Sequence, residues 1–150
     1  MLYFEDLEPG AVYLGDGCPV DKGEMLEYAR ANDPLPMHLN EEAAAKTSFG
    51  GLVASGGFTL TLWLRSIIPI ARRLALIGAV DWHVTLPRPV HAGDTLQARF
   101  TIADRRPARN PDRGVVTTKQ ELLNQHGQPV FVCEAILIVA TKAGHDAPLS

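Results

Sequence analysis

Cysteine is scarce in this chain of 150 residues: Cys18 and Cys133 are the only two, far apart and outside any Cys-x-x-Cys or His-x-x-x-His spacing. Neither a disulfide framework nor a zinc site is indicated, and both thiols are expected to be buried. Basic excess is missing too, with 14 Lys plus Arg against 17 Asp plus Glu and a formal charge of -3. Such a balance cannot neutralise a run of phosphates, so nucleic acid is excluded as a partner class. No glycine-rich loop of the dinucleotide or nucleotide type is present, and no internal repeat. The start, Met1-Leu2-Tyr3-Phe4-Glu5-Asp6, lacks a basic region followed by an apolar run, so no secretory leader and a cytoplasmic location are expected.

Long apolar runs are also few. The stretch 47–64 carries no charge and reaches the lower edge of a membrane-spanning length. Gly50, Gly51, Gly56 and Gly57 interrupt it, however, and Arg65, Arg72 and Arg73 follow where a span would continue. A helix buried inside a domain explains it, and no membrane partner is expected. At 46% hydrophobic and 21% charged, the chain has the composition of one folded domain covering 1–150, with 143–150 as a loose tail.

Local signals divide the chain in two. Asp21-Lys22-Gly23-Glu24 reads as a capping box opening a helix to about Asn32, which Pro34 and Pro36 then stop; 33–38 is expected as irregular backbone. Asn40 caps a short helix over 41–46, and Ser55 a third from about Gly57 through Ile68, apolar on nearly every face, with Pro69 breaking or restarting it. From Val80 the period changes. The segments 80–86, 95–103, 114–123 and 130–141 are rich in β-branched residues and alternate apolar with polar. Residues 124–127 read as a hairpin turn, and 107–113 as a longer loop. An apolar helix followed by four long antiparallel strands, with another near 11–14 at one edge, predicts an α+β sheet curled around a central helix. A partner copy is expected to cover the exposed face or edge of such a sheet.

Asp33 and His38 are an acid and an imidazole five positions apart in a proline-stiffened loop. A carboxylate and an imidazole, which exchanges protons near neutral pH, can together hold and activate one water. Fully extended, this spacing would separate them by roughly 16 Å, so the chemistry requires the loop to curl. The other reading is a solvated loop in which Asp33 ends a helix and His38 lies at the surface or caps a helix. Ser55-Gly56-Gly57 offers a second element: a helix-terminal amide at Gly56 has no intrahelical acceptor and could stabilise an oxyanion. The glycines could equally serve close helix–sheet packing. Arg65, Arg72 and Arg73 could meet an anionic ligand or be solvated; His83, His91, His126 and His145 have no ligand pattern around them and read as structural or solvated.

Tyr28-Ala29-Arg30-Ala31-Asn32-Asp33-Pro34-Leu35-Pro36-Met37-His38-Leu39-Asn40-Glu41-Glu42-Ala43-Ala44, then Phe49-Gly50-Gly51-Leu52-Val53-Ala54-Ser55-Gly56, resembles the hydratase motif of MaoC-like dehydratases, the (R)-specific enoyl-CoA hydratases of the hotdog fold. Pro87 to Leu96 is similar to the family's next segment, and Asn124-Gln125-x-Gly127 to its final hairpin. The resemblance implies that Asp33 and His38 are the catalytic pair and that Gly56, with Ser55 beside it, binds the thioester carbonyl. Water would add across a trans-2-enoyl-CoA, or leave a 3-hydroxyacyl-CoA, with no metal or organic cofactor. The partners implied are the acyl-CoA substrate and a second copy of the chain, since the family's pocket lies between two hotdogs.

Three positions depart from the pattern. Leu35 stands where the best-known hydratases have Asn, Leu64 where they have Ser, and Gly57 where they have a larger residue; a branch with Asp-Pro-x-Pro-x-His is closer. Two other functions stay open. A hotdog thioesterase usually carries an acid on or beside its central helix, and 56–77 has none. A non-catalytic acyl-binding subunit would keep the fold without turnover.

Overall fold

The computed structural model describes residues 1–145. A 3₁₀ turn at Phe4–Asp6 leads into β1 (Val12–Pro19), followed by α1 (Lys22–Asn32), α2 (Pro36–Leu39), α3 (Glu41–Ala45) and the long α4 (Gly56–Ala71). The strands β2 (Leu76–Thr85), β3 (Thr95–Pro107), β4 (Arg113–Leu123) and β5 (Pro129–Ala140) then run in succession, ending in the single turn α5 (Lys142–His145). One antiparallel sheet has the order β1-β3-β4-β5-β2. Its inner face follows the two-residue period of a strand: Leu96, Ala98, Phe100 and Ile102 on β3, then Phe131, Cys133, Ala135 and Leu137 on β5, are all buried. They close on Phe58, Leu62, Trp63, Ile67 and Ile70 of α4 in one continuous core. Trp63 stacks on Phe131 with ring centroids 5.1 Å apart. This is the expected α+β hotdog arrangement, a sheet curled around a central helix.

The three expected caps are present. Side chains of Asp21, Asn40 and Ser55 accept from the backbone N–H groups of Glu24, Ala43 and Phe58, each satisfying a donor that a helix start leaves unpaired. The capping box at Asp21 is only half made, because the Glu24 carboxylate pairs with Arg65 of α4. That pair ties α1 to α4 and removes Arg65 from the candidate anion contacts; Arg73 lies over the Tyr13 ring, 5.3 Å from its centroid.

Other expectations are corrected. Pro69 does not break α4, which continues to Ala71. The proline is exposed near the C-terminal end, so its missing hydrogen bond costs little against the burial of Ile67 and Ile70. Nor is α4 enclosed all round: Arg65, Ile68 and Pro69 form an exposed strip. The backbone at 33–38 is not wholly irregular, because Pro36 starts the turn α2. Cys18 is half-buried, while Cys133 is fully buried and its thiol is pushed up to about 11 by burial, with Asp81 and Glu134 adding to the effect. His91 does have an acid beside it, Asp94, with Nδ1 and Oδ2 4.0 Å apart. Of the expected tail, 143–145 belong to α5 and 146–150 lie outside the described residues.

The sheet is uneven at its edges. Strand β2 pairs only with β5 and leaves Leu76, Ile77, Val80 and Trp82 exposed, as is Leu86 just beyond it. At the other end of β4, Gly114 lies directly beneath the Phe4 ring, where a Cβ would overlap ring carbons. Gly114→Ala should therefore lift the N-terminal 3₁₀ turn and lower stability by about 1–3 kcal/mol, measurable by denaturant unfolding. No helix among the described residues is long and apolar enough to cross a membrane.

Candidate active site

Two prolines shape the loop that carries the acid and the imidazole. Asp33, preceding Pro34, and Leu35, preceding Pro36, are both held outside the helical region, with ψ of 70° and 143°. Leu35 N–H donates to Asp33 C=O at 2.8 Å, a three-residue turn centred on Pro34. Pro36 then occupies the first helical position, where its missing N–H costs nothing. The turn of α2 swings His38 back toward Asp33. Asp33 Oδ2 lies 3.6 Å from His38 Nε2, so the loop is curled rather than near its extended limit.

His38 is held from behind. Its Nδ1 is 2.8 Å from the Val53 carbonyl oxygen, and a carbonyl only accepts, so Nδ1 carries the proton. In the neutral ring, Nε2 is then a lone pair facing the carboxylate. Two acceptors 3.6 Å apart do not bond directly, and the separation exceeds an ordinary N–H···O length. A water placed to one side, at about 2.8 Å from each, can donate one hydrogen to Asp33 and the other to His38. The His38 side chain is 6% exposed and that of Asp33 37%, giving the pair one dry member and one facing the opening.

The remaining wall comes from distant segments. Val53 N–H reaches Met37 C=O, and Ala54 N–H donates to Val90 C=O at 2.9 Å, which fastens the start of α4 between the α2 turn and the segment after β2. Gly56 is the first residue of α4, and a side chain added there would come within 3.1 Å of Leu86 Cδ1. A cavity of about 330 Å³ results, reached by Asp33, His38 and Gly56, with Leu35, Met37, Phe49, Val53 and Leu86 as apolar wall and Arg88 at its side.

Ser55 is placed differently from Gly56. It is buried, its hydroxyl accepts from Phe58 N–H at 3.2 Å, and it does not line the cavity; its contribution there is to fix the backbone that presents the Gly56 amide. Gly57 has a packing reason, since the Tyr28 hydroxyl of α1 lies 2.5 Å from where its Cβ would be. Leu64 does not line the cavity, whereas Leu35 does. The sequence alone assigns no role in the cavity to Leu86, Arg88, Phe49 or Thr59, although Phe49 and Arg88 lie in the segments that resemble the family. Only the proline pair around Arg88 marked that segment as stiff, and no local signal placed it beside α4.

The arrangement can hold one water between a carboxylate and an imidazole, next to an apolar slot and an amide at a helix start. Comparison with known proteins shows the family. The MaoC like domain family matches residues 6–124. The protein YdeM of Bacillus subtilis (strain 168), itself uncharacterised, is 31% identical over 134 residues, covering 87% of this chain and 93% of its own length. A 3-hydroxybutyryl-CoA dehydratase of Methylorubrum extorquens is 33% identical over 116 residues, covering 75% of this chain and 71% of its own. Among solved structures, the MaoC-like dehydratase from Rhodospirillum rubrum superposes with a TM-score of 0.85 at 32% identity, covering 95% of this chain and 99% of that one.

Proposed function

The chain belongs to the MaoC-like domain family, and from that premise we propose that it is a hydro-lyase adding water to a trans-2-enoyl-CoA, or removing it from an (R)-3-hydroxyacyl-CoA. The observation that carries this reading is the 3.6 Å approach of Asp33 Oδ2 to His38 Nε2 in the wall of a largely apolar cavity. In the hydration direction the water oxygen bonds to C3 of the enoyl group as the pair removes one of its protons. The electron pair of the double bond moves toward the thioester, and its charge develops on the carbonyl oxygen. The Gly56 N–H, free of an intrahelical acceptor as the first residue of α4, is the donor for that oxygen. A proton returns from the same pair to C2. The sum consumes one water and one enoyl thioester, is redox-neutral, and so requires no electron-carrying cofactor.

Acyl hydrolysis is disfavoured by the same geometry. A thioesterase must aim its activated water at the carbonyl carbon, while the acid here stands with an imidazole, and α4 carries no carboxylate along its length. The test is an assay of the protein on short and medium trans-2-enoyl-CoAs, following loss of the conjugated enoyl absorbance alongside release of free thiol. Loss of absorbance without thiol is expected; thiol release from saturated acyl-CoAs would assign a thioesterase instead, and binding without either product a non-catalytic subunit.

The working unit under this reading is a homodimer. Exposed Val80 and Trp82 on β2, with Leu86 next to the cavity, form an apolar edge that a second copy would cover. Val80→Asp with Trp82→Lys is expected to shift the native mass to that of a monomer in light scattering and to lower activity with it. A dimeric, fully active double variant would place the interface elsewhere.

A further inference from the structure

Arg88 is the one lysine or arginine that lines the cavity among the described residues. Its neighbours Pro87 and Pro89 restrict the backbone, and Val90, two residues on, is fastened to Ala54 by a backbone hydrogen bond. The guanidinium is anchored at one corner, with Nη1 donating to the Pro129 carbonyl at 3.1 Å. No carboxylate among the described residues lies within ion-pair distance of it. Arg65, Arg99 and Arg105 each have such a partner. An exposed cation held at one corner, with donors left over, therefore stands beside a cavity whose own carboxylate, Asp33, faces His38 Nε2 at 3.6 Å.

We propose that Arg88 is an anion-binding residue of this cavity, taking a carboxylate or phosphate oxygen of the ligand that occupies it. Guanidinium is suited to this because its planar donors match either oxyanion and its charge does not titrate. The inference rests on the hydro-lyase reading only in taking the occupant to be an acyl thioester. Such a ligand offers the anion from two sources: the phosphates of coenzyme A, or a carboxylate at the far end of the acyl chain.

The deciding experiment measures binding rather than turnover, using ligands that cannot be hydrated. Calorimetric titration of the full chain with butyryl-pantetheine, butyryl-CoA and succinyl-pantetheine compares a neutral ligand, one with carrier phosphates and one with an acyl-end carboxylate. At least one anionic ligand should bind about tenfold or more tightly than the neutral one. Arg88→Gln, which keeps a donor for Pro129, should abolish that advantage, Arg88→Lys should keep part of it, and Arg72→Gln, an exposed arginine outside the cavity, should leave it intact. An advantage for butyryl-CoA alone assigns the carrier phosphates, and one for succinyl-pantetheine alone assigns the acyl carboxylate. Equal binding of all three by the native protein, or an advantage that survives Arg88→Gln, overturns the proposal. A native protein that discriminates through Arg88 yet hydrates no enoyl thioester would remove the hydro-lyase reading and leave this one standing.

Discussion

Asp33→Asn and His38→Gln are each expected to lower the hydration rate by about 10²–10⁴, the usual range for losing a positioned acid or base. Asparagine preserves the shape of the carboxylate but cannot accept the proton of the bridging water. Glutamine can still donate to the Val53 carbonyl that the His38 ring now occupies, so the buried oxygen is not stranded; His38→Ala would strand it and mix a folding defect with a chemical one. Both variants should unfold near the native temperature. Since the two side chains share one water, the double variant should be no slower than the worse single one, the non-additivity of groups that act as a unit. Single variants within about threefold of native would remove the pair from the mechanism; additive losses would mean that each group acts on a different atom.

The Gly56 amide allows a comparably sharp test, because a backbone donor can be deleted where a helix tolerates proline. Gly56 is the first residue of α4, and Ser55 before it already has φ of -65° and ψ of 155°, a conformation that proline permits in its predecessor. Gly56→Pro should therefore keep the helix and lose about 10²–10³ in kcat, the size of one oxyanion donor. Gly56→Ala keeps the N–H while adding the carbon that would press on Leu86 Cδ1 at 3.1 Å, and serves as the steric control. In a Leu86→Ala background the alanine variant should recover toward that background's rate and the proline variant should not. Equal activity of the two variants would show that the amide is not the oxyanion donor.

The fold was legible in the sequence wherever the signal was local. Asp21, Asn40 and Ser55 cap the expected helices, and the two-residue period is kept on β3 and over most of β5, whereas β2 already begins at Leu76, ahead of the change of period at Val80. Misreadings came where a partner far along the chain decided the outcome. Glu24 leaves its own capping box for Arg65, and Pro69 is carried through α4 because the residues around it are needed in the core. The site shows the same division. Asp33 and His38 were recognisable as residue types, but their separation depends on Pro36 starting a turn instead of merely ending one. Arg88 lies in a segment that resembles the family, but nothing local placed it or Leu86 at the site; the bond between Ala54 and Val90 and the burial of Val90 bring that segment to the start of α4. Gly57 looked like a departure until the Tyr28 hydroxyl supplied its reason.

In the proposed reaction one water, placed between Asp33 Oδ2 and His38 Nε2, which stand 3.6 Å apart, supplies both halves of the addition. Hydration of a short trans-2-enoyl-CoA in deuterium oxide, followed by determination of both new stereocentres, tests it most directly. With a single water on one side of the substrate, the C3 hydroxyl and the C2 deuterium should enter from the same face, giving one (R)-3-hydroxy product with syn geometry. Addition from opposite faces, or deuterium scrambled between the two C2 positions during the first turnover, would contradict it.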